Sequence, residues 1–112
     1  MDLTKKACVA CEGGAPPLQG QELHTYLEEV EDWTLVKPED GGTQRIQKKF
    51  EFKNFREALA FVNKVGEIAE AEGHHPDIHL VSYKNVVIEL YTHAIGGLSE
   101  NDFIVAAKIN AL

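Results

Sequence analysis

Histidine is the side chain whose unperturbed pKa, ~6.5, lets it give and take a proton near neutral pH. This chain has five, and three lie in two short stretches: His74-His75-Pro76 after a long helical pattern, and His93 after a pair of strand patterns. Neutral imidazoles can bind a metal ion, and imidazoles beside carboxylates can move protons. His74 and His75 are poor partners for one metal, because neighbouring residues of an extended chain point to opposite sides. The pattern therefore favours acid–base chemistry. Glu70, four residues before His74, would sit one helical turn below it and hold its tautomer. Asp102, near the start of the last helical pattern, can reach the same place after the Gly96-Gly97 break. Plainer roles exist for others: His24 and His79 as surface residues, Tyr83 as a turn aromatic, Trp33 as a core anchor. Glu70 as a solvated charge and Asp102 as a helix cap are the corresponding plain readings.

A second constellation is Cys8-Val9-Ala10-Cys11. Structural zinc sites use this spacing, but no second cysteine pair exists and His24 is the one nearby extra ligand. The pair precedes any regular element, so the context of a thioredoxin-type site is missing. Two reduced thiols on a loosely docked segment are the expectation.

The rest of the composition narrows the class. At 112 residues the chain makes one domain. With 11 Lys and Arg against 18 Asp and Glu, the net charge is −7. No basic run exists for a nucleic-acid backbone. No apolar run approaches the ~20 residues of a membrane span. Residues 1–20 lack an apolar signal region, so the cytoplasm is the expected compartment.

The elements that must position these side chains follow from periodicity. Residues 1–19 read as an irregular N-terminal segment, broken by Gly13-Gly14 and Pro16-Pro17, and residues 20–112 as a single domain. Gln21 to Val30 reads as a helix, Trp33 to Lys37 as a strand, Pro38 to Gly42 as a turn and Thr43 to Phe52 as an alternating partner strand. Asn54 caps the longest helix, which runs to Glu72 and ends on Gly73. It has two apolar stripes, Phe55-Leu59-Val62-Gly66-Ala69 and Ala58-Phe61-Val65-Ile68. One packs on the sheet, and the other is free for a second copy, so an oligomer is expected. Pro76 to Ser82 and Val86 to His93 read as a hairpin, and Ser99 with Asp102 as a capping-box-like start to the last helix. The whole predicts an α+β two-layer sandwich: a four-stranded antiparallel sheet with three helices on one face. A loop at 83–85 keeps Ile78, Leu80, Ile88 and Leu90 on the core face and sets His75 across from His93, Cβ atoms ~5 Å apart.

Assembled, the residues read Glu70-x-x-x-His74-His75-Pro76, six residues, Tyr83, nine residues, His93, eight residues, Asp102. This resembles the signature of the pterin-4a-carbinolamine dehydratase family at all seven positions. Trp33, the Leu98-Ser99-Glu100 helix entry and the Cys-x-x-Cys-Glu-Gly-Gly segment extend the resemblance. It implies a hydro-lyase that dehydrates 4a-hydroxytetrahydrobiopterin to quinonoid dihydrobiopterin, without metal or redox cofactor, in the tetrahydrobiopterin cycle of aromatic amino-acid hydroxylases. It implies His74 and His93 as the acid–base pair and Glu70 as the residue tuning His74. His75 and Pro76 would hold the pterin, with Asp102 and the backbone at Thr92 and Ala94 as further partners. It also implies a homotetramer or dimer through the long helix. The rivals are a non-catalytic dimerisation or transcription-coactivator role, a helper in another pterin pathway such as molybdenum cofactor metabolism, and a His/Cys metal-binding module.

Overall fold

A computed structural model describes residues 1–9, 16–38 and 41–112. Its elements are α1 (Gly20–Glu29), β1 (Thr34–Val36), β2 (Arg45–Glu51), α2 (Phe55–Glu72), β3 (Asp77–Val81), β4 (Asn85–Leu90) and α3 (Glu100–Asn110). Short 3-10 turns stand at Leu3–Lys5 and His93–Ile95. The sheet is antiparallel throughout, in the order β1-β2-β4-β3. Three helices cover one face of it, the α+β sandwich that the periodicity predicts.

Alternation decides which side of each strand meets the helices. Ile46, Val86, Ile88 and Leu90 are fully buried. On the other face Arg45, Glu89 and His79 form a polar cluster: Glu89 lies 3.4 Å from Arg45 and 2.8 Å from His79. His79 and His24 are surface residues, as expected, the latter 3.3 Å from Glu28. Trp33 is the core anchor, with its indole N–H donating to Asn110 Oδ1 at 2.9 Å.

α2 starts and stops on the predicted residues. The Asn54 side chain accepts the Glu57 N–H at 2.8 Å, and Gly73 takes a left-handed conformation, φ 65°. The Gly73 N–H and the His74 N–H, the latter at 3.2 Å, then both donate back to the Ala69 carbonyl and close the helix end. Of the two stripes, Ala58 and Val65 are buried and Phe61 and Ile68 pack against the core. The other stripe divides: Ala69 is buried, while Phe55 and Leu59 are 49% and 43% exposed.

α3 departs from an ordinary surface helix. It is apolar nearly all round, with Asn101 to Ala107 and Ile109 buried, and it packs against α1, α2 and the first 3-10 turn.

Two expectations about the hairpin need correction. The loop is 82–84 and Val81 pairs with Asn85, so each strand pairs one residue earlier than predicted. The shift preserves which face each side chain takes, so apolar patterning is blind to it. The left-handed residues are Ser82 and Tyr83, φ 49° and 55°, types that do not advertise such a turn. β4 also stops at Leu90, so His93 sits on the following 3-10 turn and not across a ladder from His75.

The described parts of the N-terminal segment, residues 1–9 and 16–19, are attached to the rest of the chain. Leu3 is buried, and the Leu18 N–H donates to the Leu98 carbonyl at 2.8 Å. Pro17 lies so close to Gly97 that a Cβ there would meet the proline ring at 2.6 Å, so only glycine fits. Cys11 lies outside the described residues.

Candidate active site

Where α2 ends and the loop after β4 begins, the chain encloses an open cleft of about 510 Å³. His74, His75 and His93 all line it, with Thr92 and Ala94 beside His93 and Tyr91 just after β4. The convergence expected from the sequence therefore holds, although a helix cap and a 3-10 turn produce it and not a strand ladder.

His74 is the best-held of the three. Its Nε2 lies 2.6 Å from Asp102 Oδ1, and the Asp102 side chain is 0% exposed. The other oxygen, Oδ2, accepts the Thr92 hydroxyl at 2.8 Å and the Ser99 N–H at 2.9 Å. A carboxylate only accepts, so Nε2 carries the N–H. Asp102 is thus buried away from the cleft. It orients His74 and is not among the residues lining the cleft, whereas the resemblance implied it as a partner of the pterin.

The expected place of Glu70 beside His74 needs correction. Its Oε2 lies 2.7 Å from His75 Nε2, not beside His74, and the two side chains are 79% and 62% exposed. The i, i+4 rule requires a continuing helix. Gly73 turns the chain left-handed, sending His74 towards α3 and letting His75 fall back over the last turn of α2.

Thr92 is 3% exposed and spends its N–H on the Gly97 carbonyl at 2.8 Å. Its hydroxyl also meets Ser99 Oγ at 2.7 Å, so its main work is to tie the His93 loop to Asp102. Pro76, half-buried, starts the run into β3.

Sequence reasoning passed over Glu72 and Asn101 and put Cys8 and Val9 on a loosely docked segment; all four line the cleft. Glu72 and Asn101 gave one signal, adjacency to His74 and Asp102. A hydrogen bond from Lys108, with another from the Cys8 N–H, holds the Glu72 carboxyl below the usual carboxylate range. Burial, reinforced by the Glu72 charge, pushes the Cys8 thiol up to about 12. A thiol held in that form is neither a ready nucleophile nor a ready zinc ligand. The Asp77 charge similarly raises Tyr91 above the ordinary phenol range. Among the described residues, no group of three or more His, Cys, Asp or Glu side chains is arranged to hold a metal ion.

With this geometry in view, comparison with known proteins is decisive on kinship. The profile of the pterin 4 alpha carbinolamine dehydratase family matches residues 16–112. The chain belongs to that family. A Halorhodospira halophila protein, provisionally named a pterin-4-alpha-carbinolamine dehydratase, is 48% identical over all of this chain and 98% of its own length. Pterin-4-alpha-carbinolamine dehydratase 2, mitochondrial, of Arabidopsis thaliana is 46% identical over 99% of this chain, which spans 59% of that protein. The crystal structure of a transcriptional coactivator/pterin dehydratase from Brucella melitensis superposes with a TM-score of 0.75 at 32% identity, covering 85% of this chain and 96% of that one. Among the described residues, no helix is long and apolar enough to cross a membrane.

Proposed function

We propose that this member of the dehydratase family is an enzyme, a hydro-lyase acting on 4a-hydroxytetrahydrobiopterin. One observation carries the reading: three imidazoles share an open cleft, and one of them is held through Nε2 by a fully buried carboxylate. The reaction is redox-neutral. A proton goes to the 4a-hydroxyl, the C4a–O bond breaks, the N5–H proton leaves, and its electron pair closes the C4a=N5 double bond. The products are water and the quinonoid dihydropterin. His74 and His93 are the acid–base pair, with Asp102 setting the tautomer of His74. His75 and Pro76 hold the ring, Glu70 steadies His75, and Ala94 flanks the polar edge. Thr92 serves the site by bracing Asp102.

Residues 20–112 form the domain that supplies the proposed acid–base residues. The exposed Phe55 and Leu59 of α2 support a homo-oligomer, dimer or tetramer, formed through that helix. A cytoplasmic protein serving an aromatic amino-acid hydroxylase completes the reading. That same apolar face favours a second reading, dimerisation with a transcription factor, and the Brucella relative is named for both roles.

The test is a stopped-flow assay on freshly generated 4a-hydroxytetrahydropterin. General acid–base help contributes ~10²–10⁴-fold, so His74→Ala and His93→Ala should each lose about 10²-fold or more in kcat while remaining folded. Equal rates in the wild type and both variants would contradict the assignment.

A further inference from the structure

The family profile begins at residue 16, yet the lining of the cleft begins at Cys8. Residues 8 and 9 are fastened on both sides of the His74–Asp102 pair. The Cys8 N–H donates to Glu72 Oε1 at 2.8 Å, two residues before His74. The Val9 N–H donates to Asn101 Oδ1 at 3.1 Å, and the Val9 carbonyl accepts from Asn101 Nδ2 at 2.6 Å, one residue before Asp102. Both anchors are themselves fixed: Asn101 is 4% exposed, and the second oxygen of Glu72 accepts from Lys108 at 2.8 Å. Upstream, buried Leu3 and a 3.0 Å Lys6–Glu100 ion pair pin the segment to α3 and the core.

These bonds consume backbone groups and leave the Val9 side chain out, 73% exposed, on the cleft. Val9 and Ala94 are the aliphatic side chains in a lining otherwise made of imidazole, carboxylate, hydroxyl, phenol, amide, thiol and glycine. A tetrahydropterin has a polar pyrimidine end and a carbon-rich end at C6 and C7. Apolar surface is best covered by apolar surface.

We propose that Val9 is a substrate-contacting, specificity-determining residue: the Cys8–Val9 strap is the wall against which the C6–C7 edge of the pterin packs. Glu72 and Asn101 are its positioning residues. The proposal rests on the pterin reading of the cleft.

The experiment measures the affinity of a stable 6-substituted dihydropterin by fluorescence titration, and kcat and KM for dehydration, in wild type, Val9→Gly and Val9→Asp. Position 9 is exposed, so both variants should fold. Losing the contact of about one to two methyl groups corresponds to about four- to fifteenfold in binding. Kd and KM should rise by that factor in Val9→Gly and further in Val9→Asp, with kcat within about twofold of wild type. Asn101→Ala, which unfastens the strap while keeping Val9, should reproduce the KM rise. Unchanged Kd and KM in both Val9 variants of a protein that binds and dehydrates pterin would overturn the strap and leave the dehydratase standing. A wild type that binds no pterin would overturn both.

Discussion

Two histidine–carboxylate pairs flank the cleft, alike in length and unlike in setting. His74 lies 2.6 Å from Asp102, and His75 lies 2.7 Å from Glu70. The first pair is 13% and 0% exposed, the second 62% and 79%. In water, hydration and salt reduce such a pair to ~0–1 kcal/mol. In a buried site the same contact meets less competition, and the carboxylate has nowhere else to turn. Separation alone therefore ranks the pairs as equals, while burial separates a fixed tautomer from a preferred orientation.

The sharpest way to break this comparison is Asp102→Asn. Oδ2 serves two donors, Ser99 N–H and the Thr92 hydroxyl. The amide oxygen should settle there, which turns the new NH2 towards His74 Nε2. That nitrogen must then accept, and Nδ1 acquires the proton. The expected loss in kcat is ~10²–10⁴-fold, the full scale of acid–base assistance, with the fold retained. Nitrogen-15 NMR of the His74 ring should show the exchanged tautomer. Wild-type kcat in this variant would place the catalytic proton elsewhere.

His75→Ala comes next. An exposed imidazole held by an exposed carboxylate suits ligand contact better than proton transfer. The hypothesis predicts a KM about tenfold higher, the equivalent of one hydrogen bond to a charged group, ~1.5 kcal/mol, with kcat within a few-fold. A loss confined to kcat would reverse the assignments of His74 and His75.

How much of this was legible beforehand depends on which forces are local. The N-cap at Asn54, the stop at Gly73 and the inward faces of β3 and β4 follow from one or two residues each, and all were read correctly. Three features were not. The hairpin register was missed because a shift of two in the pairing sum conserves every face. Glu70 was assigned to His74, and His75 was given no partner, because the i, i+4 spacing rule ignores the left-handed glycine that ends the helix. The strap at Cys8 and Val9 was missed because its anchors are single polar side chains on distant elements, which leave no periodic trace. The cleft histidines are legible by residue type, whereas their carboxylate partners required the third dimension.

Acid titration probes the strap end of the cleft. A hydrogen bond from Lys108 depresses the Glu72 carboxyl, and hydrogen bonds from Tyr26 and Lys6 depress Glu100. Groups lowered in the folded state add stability that is fully present above their unfolded values, ~4.3, and lost as pH falls through the folded ones. Melting temperature should therefore fall steeply below about pH 4.3. Glu72→Gln should lower it by a few degrees near neutrality and flatten the acid slope. Parallel curves for wild type and variant would show that Glu72 contributes nothing through its charge.

The smallest effect belongs to Glu70→Gln, and its smallness is the point. The neutral amide can still accept from or donate to His75, and the pair it replaces is open to solvent at both ends. An exposed pair worth ~0–1 kcal/mol sets a ceiling of about fivefold on any change in KM. Salt should erase even that, because charges at the surface are screened within ~10 Å at 0.1 M ionic strength. Raising salt to roughly 0.5 M should thus bring wild type and Glu70→Gln together, while Asp102→Asn stays as impaired as before. If Glu70→Gln instead lost activity on the scale of Asp102→Asn, exposure would have failed as the variable dividing the two pairs. The helix-turn relation between Glu70 and His74 would then have to form during turnover.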